Sequence, residues 1–582
     1  MDPPLPKPSF NPNRHLKEQF VSNLSGSSML EIAALTVTIP ILVLVRHSIS
    51  STSITGASLM KKNDDAPSGN RNFKSYIATL SLDFLVIVVP MLLFFTVLSN
   101  WTYILASLFT VSTLLYIAAK RSGCSSPSFE GEPNSLRAYI TSYRVIVMII
   151  TFLCILAVDF QIFPRRYAKT ETYGTSLLLF QTMSPRLVSP DCRDFFLLSC
   201  TNSPLFGPFA PSFIPKGFAF PLLLFTCIMV YHGSLPMSLG LTCKGIGGLS
   251  LDYMDLGVGA FVVANSLVSR QARNITTLSW KAAIVSTSPL IILGFLRLVT
   301  TIGVDYQVHV GEYGVHWNFF FTLAAVSILT SFINISPQYS GVLGSIVLVG
   351  YQFCLMHGLN HYLLSNERGM DILSQNKEGI FSIFGYWGMY LLGVHLGNYL
   401  FFGSRSSGFR SNRWVRTRVW VLSFLLWLLT VLLDRYVERV SRRMCNLPYV
   451  TMVLADNLQL LSILMLADLV PGSKTSILEE AFNRNLLATF LLANVLTGLV
   501  NLSVDTLSAS SITALYILLV YAYILSIVIV FDSIYEIGKE TKAWLCEEPV
   551  SFYYTFLIPE KHKTFSAPLT CCEKLLKTLE VI

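Results

Sequence analysis

Residues 512–531 read ITALYILLVYAYILSIVIVF, twenty positions without a single charge. A helix rises about 1.5 Å per residue, so such a stretch matches the roughly 30 Å hydrocarbon core of a bilayer. Stretches of the same kind recur near 28–47, 79–98, 101–119, 141–158, 256–272, 281–301, 316–334, 341–358, 381–401, 416–433, 447–466 and 486–501, giving thirteen in all. Inside hydrocarbon the backbone must satisfy its own hydrogen bonds, and runs without period-2 alternation select helices over a β-barrel. The expected fold is therefore all-α, a polytopic membrane helical bundle of about 13 transmembrane helices.

Composition points the same way: 52% hydrophobic and 13% charged residues, with a mean hydropathy of +0.56, lie far from soluble domains. The net charge of +8 is spread over short loops without a basic block, which speaks for topology and against nucleic-acid binding. Loops holding Lys61, Lys62, Arg71, Lys74, Arg270, Arg273, Arg405 and Arg410 form the richer basic side, which the positive-inside rule makes cytoplasmic. With thirteen spans the amino terminus then faces outward and the carboxyl terminus the cytoplasm. Arg435, Arg439, Arg442 and Arg443 fall on the opposite side, an exception to the rule. The polar, proline-rich start, MDPPLPKPSFNPNRHLKEQF, lacks a signal-peptide core, so the first span is the expected insertion signal. The eleven cysteines show no CxxC or zinc spacing, and no metal site is expected. The adjacent Cys571 and Cys572 match a palmitoylation site only by position.

Two segments concentrate polar chemistry. In AVDFQIFPRRYAKTETYGTS (157–176), Asp159 closes the fourth span, Pro164 stops a straight helix, and Arg165, Arg166 and Lys169 follow. Asp159 can take a proton from a hydroxyl, and Lys169 can stabilise charge on a carbonyl oxygen. The residues by themselves favour a plainer reading, in which Asp159 is a helix-end carboxylate paired with Arg165 or Arg166. Spacing does not decide, because ten residues with a proline between them fix no mutual geometry. In MDLGVGAFVVANSLVSRQARN (254–274), Asp255 can cap the helix or bind a polar ligand, and Gly257 and Gly259 suit close helix packing. Asp305, His309, Glu312, His316, Trp317 and Asn318 cluster before another span on the side of Asp159, where they could line a headgroup pocket. His357 and His361, spaced i, i+4, share one face of a regular helix but lack the glutamate of a metalloprotease. Sequons at Asn23, Asn100, Asn274, Asn334 and Asn501 sit at span edges.

Taken in order, KEQFVSNLSGSSMLEI, VDFQIFPRRYAKTETYGTS, MDLGVGAFVVANSLVSRQAR, EYGVHWNFFFTLA and NKEGIFSIFGYWGMYLLG resemble the inositol acyltransferases of glycosylphosphatidylinositol (GPI) anchor synthesis, the PIG-W type. The resemblance covers nearly the whole chain. It implies transfer of a fatty acyl chain from acyl-CoA to the inositol hydroxyl of glucosaminyl-phosphatidylinositol, in the endoplasmic reticulum membrane. It also implies thirteen spans, in agreement with the independent count, and makes Asp159 and Lys169 the essential pair. The implied partners are acyl-CoA as co-substrate, the glycolipid acceptor and membrane lipids, with no cofactor and no nucleic acid. On this reading Asp159 is the base and Lys169 the oxyanion partner. Arg165 and Arg166 bind phosphate or anchor the loop at the interface, and Asp255, His316, Trp317 and Asn318 contact substrate. No serine or cysteine nucleophile motif is present.

The resemblance divides the chain into a polar segment (1–27), spans 1–4 with the catalytic loop (28–177), spans 5–13 (254–531) and a polar tail (532–582). Between ETYGTSL and MDLGVG, where such proteins run almost continuously, 178–253 intervene, rich in Pro, Ser, Phe and Cys and without amphipathic period. This segment reads as a retained intron or a faulty gene boundary. Two other classes stay in view: a transporter, against which stand the lack of an internal repeat and charges placed at span ends, and another membrane-bound O-acyltransferase built on a buried histidine.

Overall fold

Each of the thirteen apolar stretches carries a helix in the computed structural model, which describes residues 27–57, 77–122, 135–167, 250–251, 253–275, 280–302, 313–365, 367–402, 412–469 and 476–544. The first four spans are α1 (Met29–Ala57), α2 (Ile77–Phe95), α3 (Thr102–Ser122) and α4 (Ser135–Ala157). The next six are α5 (Tyr253–Leu267), α6 (Trp280–Ile302), α7 (Phe319–Ile333), α8 (Pro337–Leu364), α9 (Lys377–Phe402) and α10 (Asn412–Tyr436). After α11 (Leu447–Leu464) comes a short helix, α12 (Ile477–Arg484), followed by the last two spans, α13 (Leu486–Ser503) and α14 (Ser511–Trp544). A two-residue antiparallel pairing of β1 (Ser27–Ser28) with β2 (Ser250–Leu251) ties the start of α1 to the approach to α5. The chain is a multi-span membrane protein.

Local chemistry sets the helix ends. Asn318 opens α7 by accepting hydrogen bonds from the Phe320 and Phe321 amides, and Asn334, in left-handed conformation at φ 47°, closes it. Ser476 and Glu479 form a reciprocal capping box at α12. In α8 the chain passes through a π-turn at Leu355–Leu359, where Gly358 stands at φ 111° and His357 leaves helical geometry. The regular face assumed for His357 and His361 is thereby lost, and His357 Nδ1 lies 2.8 Å from the Phe353 carbonyl instead. Among the described residues no group of His, Cys, Asp and Glu is placed to hold a metal.

The core is organised around α11, whose apolar window is wholly buried, with α1, α4, α5, α9 and α10 packed about it. Yet α11 carries Asp456, Asn457 and Gln459 at its middle, so a carboxyl does stand within a span rather than at its end. Each polar group has found a partner. Thr36 Oγ1 donates to Asp456 Oδ1 at 2.7 Å, and Tyr143 OH to Asn457 Oδ1 at 2.7 Å. Gln459 Nε2 donates to the Ala33 carbonyl and to Thr36 Oγ1, and Trp427 Nε1 donates to Gln459 Oε1. These bonds fix the register of α11 against α1, α4 and α10. At the far end of α1, Arg46 pairs with Asp83 of α2, and His47 meets Glu479 at 2.8 Å, docking α12 into the bundle.

Small residues bring helices closer than side chains would allow. A Cβ on Gly393 of α9 would collide with the Ser266 hydroxyl of α5, and one on Gly259 would lie 2.7 Å from Val453 of α11, whereas Gly257 faces open space. Packing thus explains Gly259 but not Gly257. Gly393→Leu is expected to lower stability by at least about 1–3 kcal/mol through overpacking, while Gly257→Ala is neutral. Melting temperatures of the detergent-solubilised protein separate the two.

Candidate active site

The chain leaves α4 at Ala157 and folds into a turn in which the amides of Asp159, Phe160, Phe163 and Tyr167 bond to the carbonyls of Leu156, Ala157, Phe160 and Pro164. Phe160, Phe163 and Tyr167 are fully buried, so three aromatic side chains plant this loop in the bundle. Asp159 is left partly accessible at the rim. Packing of α4 against α13 brings Asn501 over it, and Asn501 Nδ2 donates to Asp159 Oδ2 at 2.8 Å.

The two arginines have different tasks. Arg165 curls back on the loop, donating to the Val158 carbonyl at 2.7 Å and to the carbonyls of Phe160 and Phe163. It shapes the turn that presents Asp159. Arg166 donates through Nε to Glu31 Oε1 at 2.9 Å and through Nη2 to Asn100 at 3.0 Å. Tyr167 OH donates to the same Glu31 oxygen at 2.6 Å. Burial pushes the Tyr167 phenol up, and the Glu31 carboxylate pushes it further, so it remains a neutral donor. Glu31 lies in the first turn of α1, where the helix N-terminus favours a carboxylate. The first span therefore holds the loop that follows the fourth.

A second polar cluster sits at the same end of the bundle, by the alternation of spans. Lys377, fully buried, donates to the carbonyls of Tyr362, Ser365 and Glu367. Next to it Glu378, also fully buried, accepts from Arg368 at 2.6 Å and Arg443 at 2.9 Å. Arg442 donates to Tyr313 OH at 2.9 Å. The basic residues that broke the positive-inside pattern thus include two committed to internal partners, which accounts for their position.

Of the remaining candidates, His316 is exposed, its backbone amide bonded to Asn376 Oδ1 at 2.7 Å. Trp317 Nε1 donates to Thr322, and Asn318 is buried, its amide nitrogen on the Gly294 carbonyl and its oxygen capping α7. Asp255 stands in the first turn of α5. Its side chain, together with Lys169, Asp305, His309, Glu312, Cys571, Cys572 and all but a few residues of 178–253, lies outside the described residues.

The model of the GWT1 family matches residues 13–179 and 247–531. The chain belongs to the GWT1 family. A phosphatidylinositol-glycan biosynthesis class W protein of Dictyostelium discoideum is 30% identical over 559 residues, covering 87% of this chain and 95% of its own. A GPI-anchored wall transfer protein 1 of Schizosaccharomyces pombe is 30% identical over 532 residues, covering 88% and 95%. An uncharacterised Arabidopsis thaliana protein is 49% identical over 511 residues, covering 87% and 98%.

The GWT1 match contains Asp159, Lys169, Asp255 and Asn501, and passes over 180–246. It resumes before Ser250–Leu251, the residues that pair with Ser27–Ser28, so the approach to α5 belongs to the matched part. Sequence reasoning had overlooked Glu31 and had treated Asn501 only as a glycosylation sequon. The signal for Glu31 was a lone acid opening an apolar stretch, while that for Asn501 emerges only in three dimensions. In this GWT1 member Glu378→Ala leaves two guanidinium groups facing an emptied, buried site. It is expected to cost about 3–5 kcal/mol, measurable as a fall in melting temperature with little surviving protein in the membrane.

Proposed function

We propose that this GWT1 member transfers a fatty acyl chain from acyl-CoA to the inositol hydroxyl of glucosaminyl-phosphatidylinositol, a step of GPI-anchor biosynthesis, in the endoplasmic reticulum membrane. The observation that carries the reading is the Asp159 carboxylate, partly accessible at the end of the bundle and held by Asn501 within a loop anchored by three buried aromatics. The names of the relatives, which refer to phosphatidylinositol-glycan biosynthesis and GPI-anchored wall transfer, support the same pathway.

An inositol hydroxyl is a weak nucleophile at neutral pH. In the proposed step Asp159 takes its proton as the oxygen attacks the thioester carbonyl of acyl-CoA. The carbonyl electrons move onto oxygen, where Lys169 supplies the compensating positive charge. Collapse of this oxyanion breaks the carbon–sulfur bond, and the coenzyme A thiolate leaves, taking the proton that Asp159 holds. The ester and free coenzyme A are the products, no covalent enzyme intermediate forms, and no cofactor is consumed. Arg166 and His316, which reach the surface, together with Asp255, are assigned to the phosphate and sugar headgroup. Trp317 and Asn318, engaged in internal hydrogen bonds, form its wall, and Arg165 holds the loop.

Within 178–253, the residues 180–246 that the family match passes over are proposed to derive from a retained intron. Sequencing the transcript tests this, and a dominant message encoding the whole segment would overturn it. For the activity, membranes expressing the full chain and a chain lacking 180–246 are supplied with labelled acyl-CoA and glucosaminyl-phosphatidylinositol. Asp159→Ala is expected to reduce transfer by about 10²–10⁴-fold and Lys169→Ala by about 10²–10³-fold, with protein levels unchanged. Solute flux in liposomes without acyl transfer would instead assign the bundle to transport.

A further inference from the structure

Asn501 combines two features. Its amide nitrogen donates to Asp159 Oδ2, and its Oδ1 is buried without a hydrogen-bond donor among the described residues. The orientation of the amide follows from chemistry, because an ionised carboxylate only accepts, so the NH₂ must face it and the carbonyl must face away. A buried carbonyl oxygen without a donor costs about 1–3 kcal/mol. At a site where a polyol is to be bound, such an orphan is an acceptor waiting for a hydroxyl.

We infer that Asn501 is a substrate-binding and positioning residue: its Nδ2 holds Asp159, and its Oδ1 accepts a hydrogen bond from a ring hydroxyl of the acceptor lipid. The inference rests on the acyl-transfer reading and deepens it. Vicinal hydroxyls on a sugar-like ring present two donors side by side. Asp159 and the Asn501 carbonyl, separated by the amide that bonds them, offer two acceptors in answer, one of which removes a proton while the other only orients. The arrangement selects a ring carrying adjacent hydroxyls over a simple lipid alcohol. It also gives the Asn501–Leu502–Ser503 sequon a different use, since an amide facing Asp159 at 2.8 Å is not presented for glycosylation. Among the described residues, the charged groups next to this site in the chain or bonded to its loop are Arg165 and Arg166 after α4, Glu31 at the start of α1 and Asp505 after α13, whose Oδ1 accepts from the Leu507 amide, and the cluster of Arg368, Lys377, Glu378, Arg442 and Arg443 stands at the same end.

The test compares wild type, Asn501→Ala, Asn501→Asp and Asp159→Ala as full chains in membranes, with glucosaminyl-phosphatidylinositol and with an analogue lacking one hydroxyl beside the acylated position. Asn501→Ala is expected to raise KM for the glycolipid about tenfold, the equivalent of about 1.4 kcal/mol, and to leave KM for acyl-CoA unchanged. The deoxy analogue should cost wild type a similar factor and cost Asn501→Ala little more, because the partner of the missing hydroxyl is already gone. The acid limb of kcat/KM should also move to higher pH, since the carboxylate has lost a donor that favours its charged form. If Asn501→Ala does not accumulate, the isosteric Asn501→Asp decides: a second carboxylate beside Asp159 is expected to move the acid limb upward and depress transfer at neutral pH. Unchanged KM for the glycolipid with an unshifted acid limb, or losses from mutation and deoxygenation that simply multiply, would overturn the inference. An active wild type with an inert Asp159→Ala and normal Asn501 variants sinks this inference alone. An inert wild type, or a fully active Asp159→Ala, sinks the acyl-transfer reading beneath it.

Discussion

A carboxyl or amide left without a partner in hydrocarbon costs several kcal/mol, and α11 carries Asp456, Asn457 and Gln459 through the centre of the bundle. That constraint organises the rest. The helix cannot rotate or slide without breaking its bonds to Thr36, Tyr143 and Trp427, which belong to α1, α4 and α10. Apolar packing between helices is nearly degenerate in lipid, since the tails are as apolar as leucine. Specific hydrogen bonds are what choose one register. The mid-span carboxyl is accordingly a keying element within the fold, with its oxygen occupied by Thr36, and it lies on a helix that presents no face to lipid.

The same logic governs the end of the bundle that holds Asp159. Loops there contain charges that would be left adrift in an interfacial region, and the structure pairs them across long separations. Glu31 of the first span answers Arg166 and Tyr167, 135 and 136 residues away, and Glu378 answers Arg443, 65 residues away. Lys377 is accommodated differently, by three backbone carbonyls that serve as a solvation shell for its ammonium. Each arrangement turns a loop into a rigid part, which is what a site requires if its groups are to hold position within fractions of an ångström.

What could be read from sequence divides along the range of the interaction. The apolar helices were legible because a run of apolar residues reports its own environment, and among the described residues eight of them are long and apolar enough to cross a membrane. Asp159 was legible as a carboxyl at a span boundary for the same local reason, whereas Pro164 does not stop the helix, which already ends at Ala157 before a turn over 158–163. The partner of Asp159 was not legible, because Asn501 is 342 residues distant and its own surroundings look like any glycosylation sequon. Arg442 and Arg443 stood as exceptions to the positive-inside rule because counting charges cannot reveal that Tyr313 and Glu378 have claimed them. For His357 and His361 a hydrogen bond or packing was the expected role, and His357 does meet the Phe353 carbonyl; only their shared helical face fails, because Gly358 breaks the regular helix.

The site is thus built from opposite ends of the chain. The loop after the fourth span supplies the carboxylate, the first span fixes that loop through Glu31, and the next-to-last span fixes the carboxylate itself through Asn501. A membrane helix inserted early can be stable alone, but this constellation cannot form until α13 has crossed and docked on α4. Chemistry is in this way made contingent on completion of the bundle, and an intermediate lacking its last spans would present Asp159 without its partner. The consequence for the long segment preceding α5 is equally direct. It enters the chain between the carboxylate loop and β2, and the loop's anchors, Phe160, Phe163 and Tyr167, all precede it while Asn501 arrives long after. Among the described residues, the side chains that hold the Asp159 loop stand on both sides of the segment, Glu31 and the three aromatics before it and Asn501 after it.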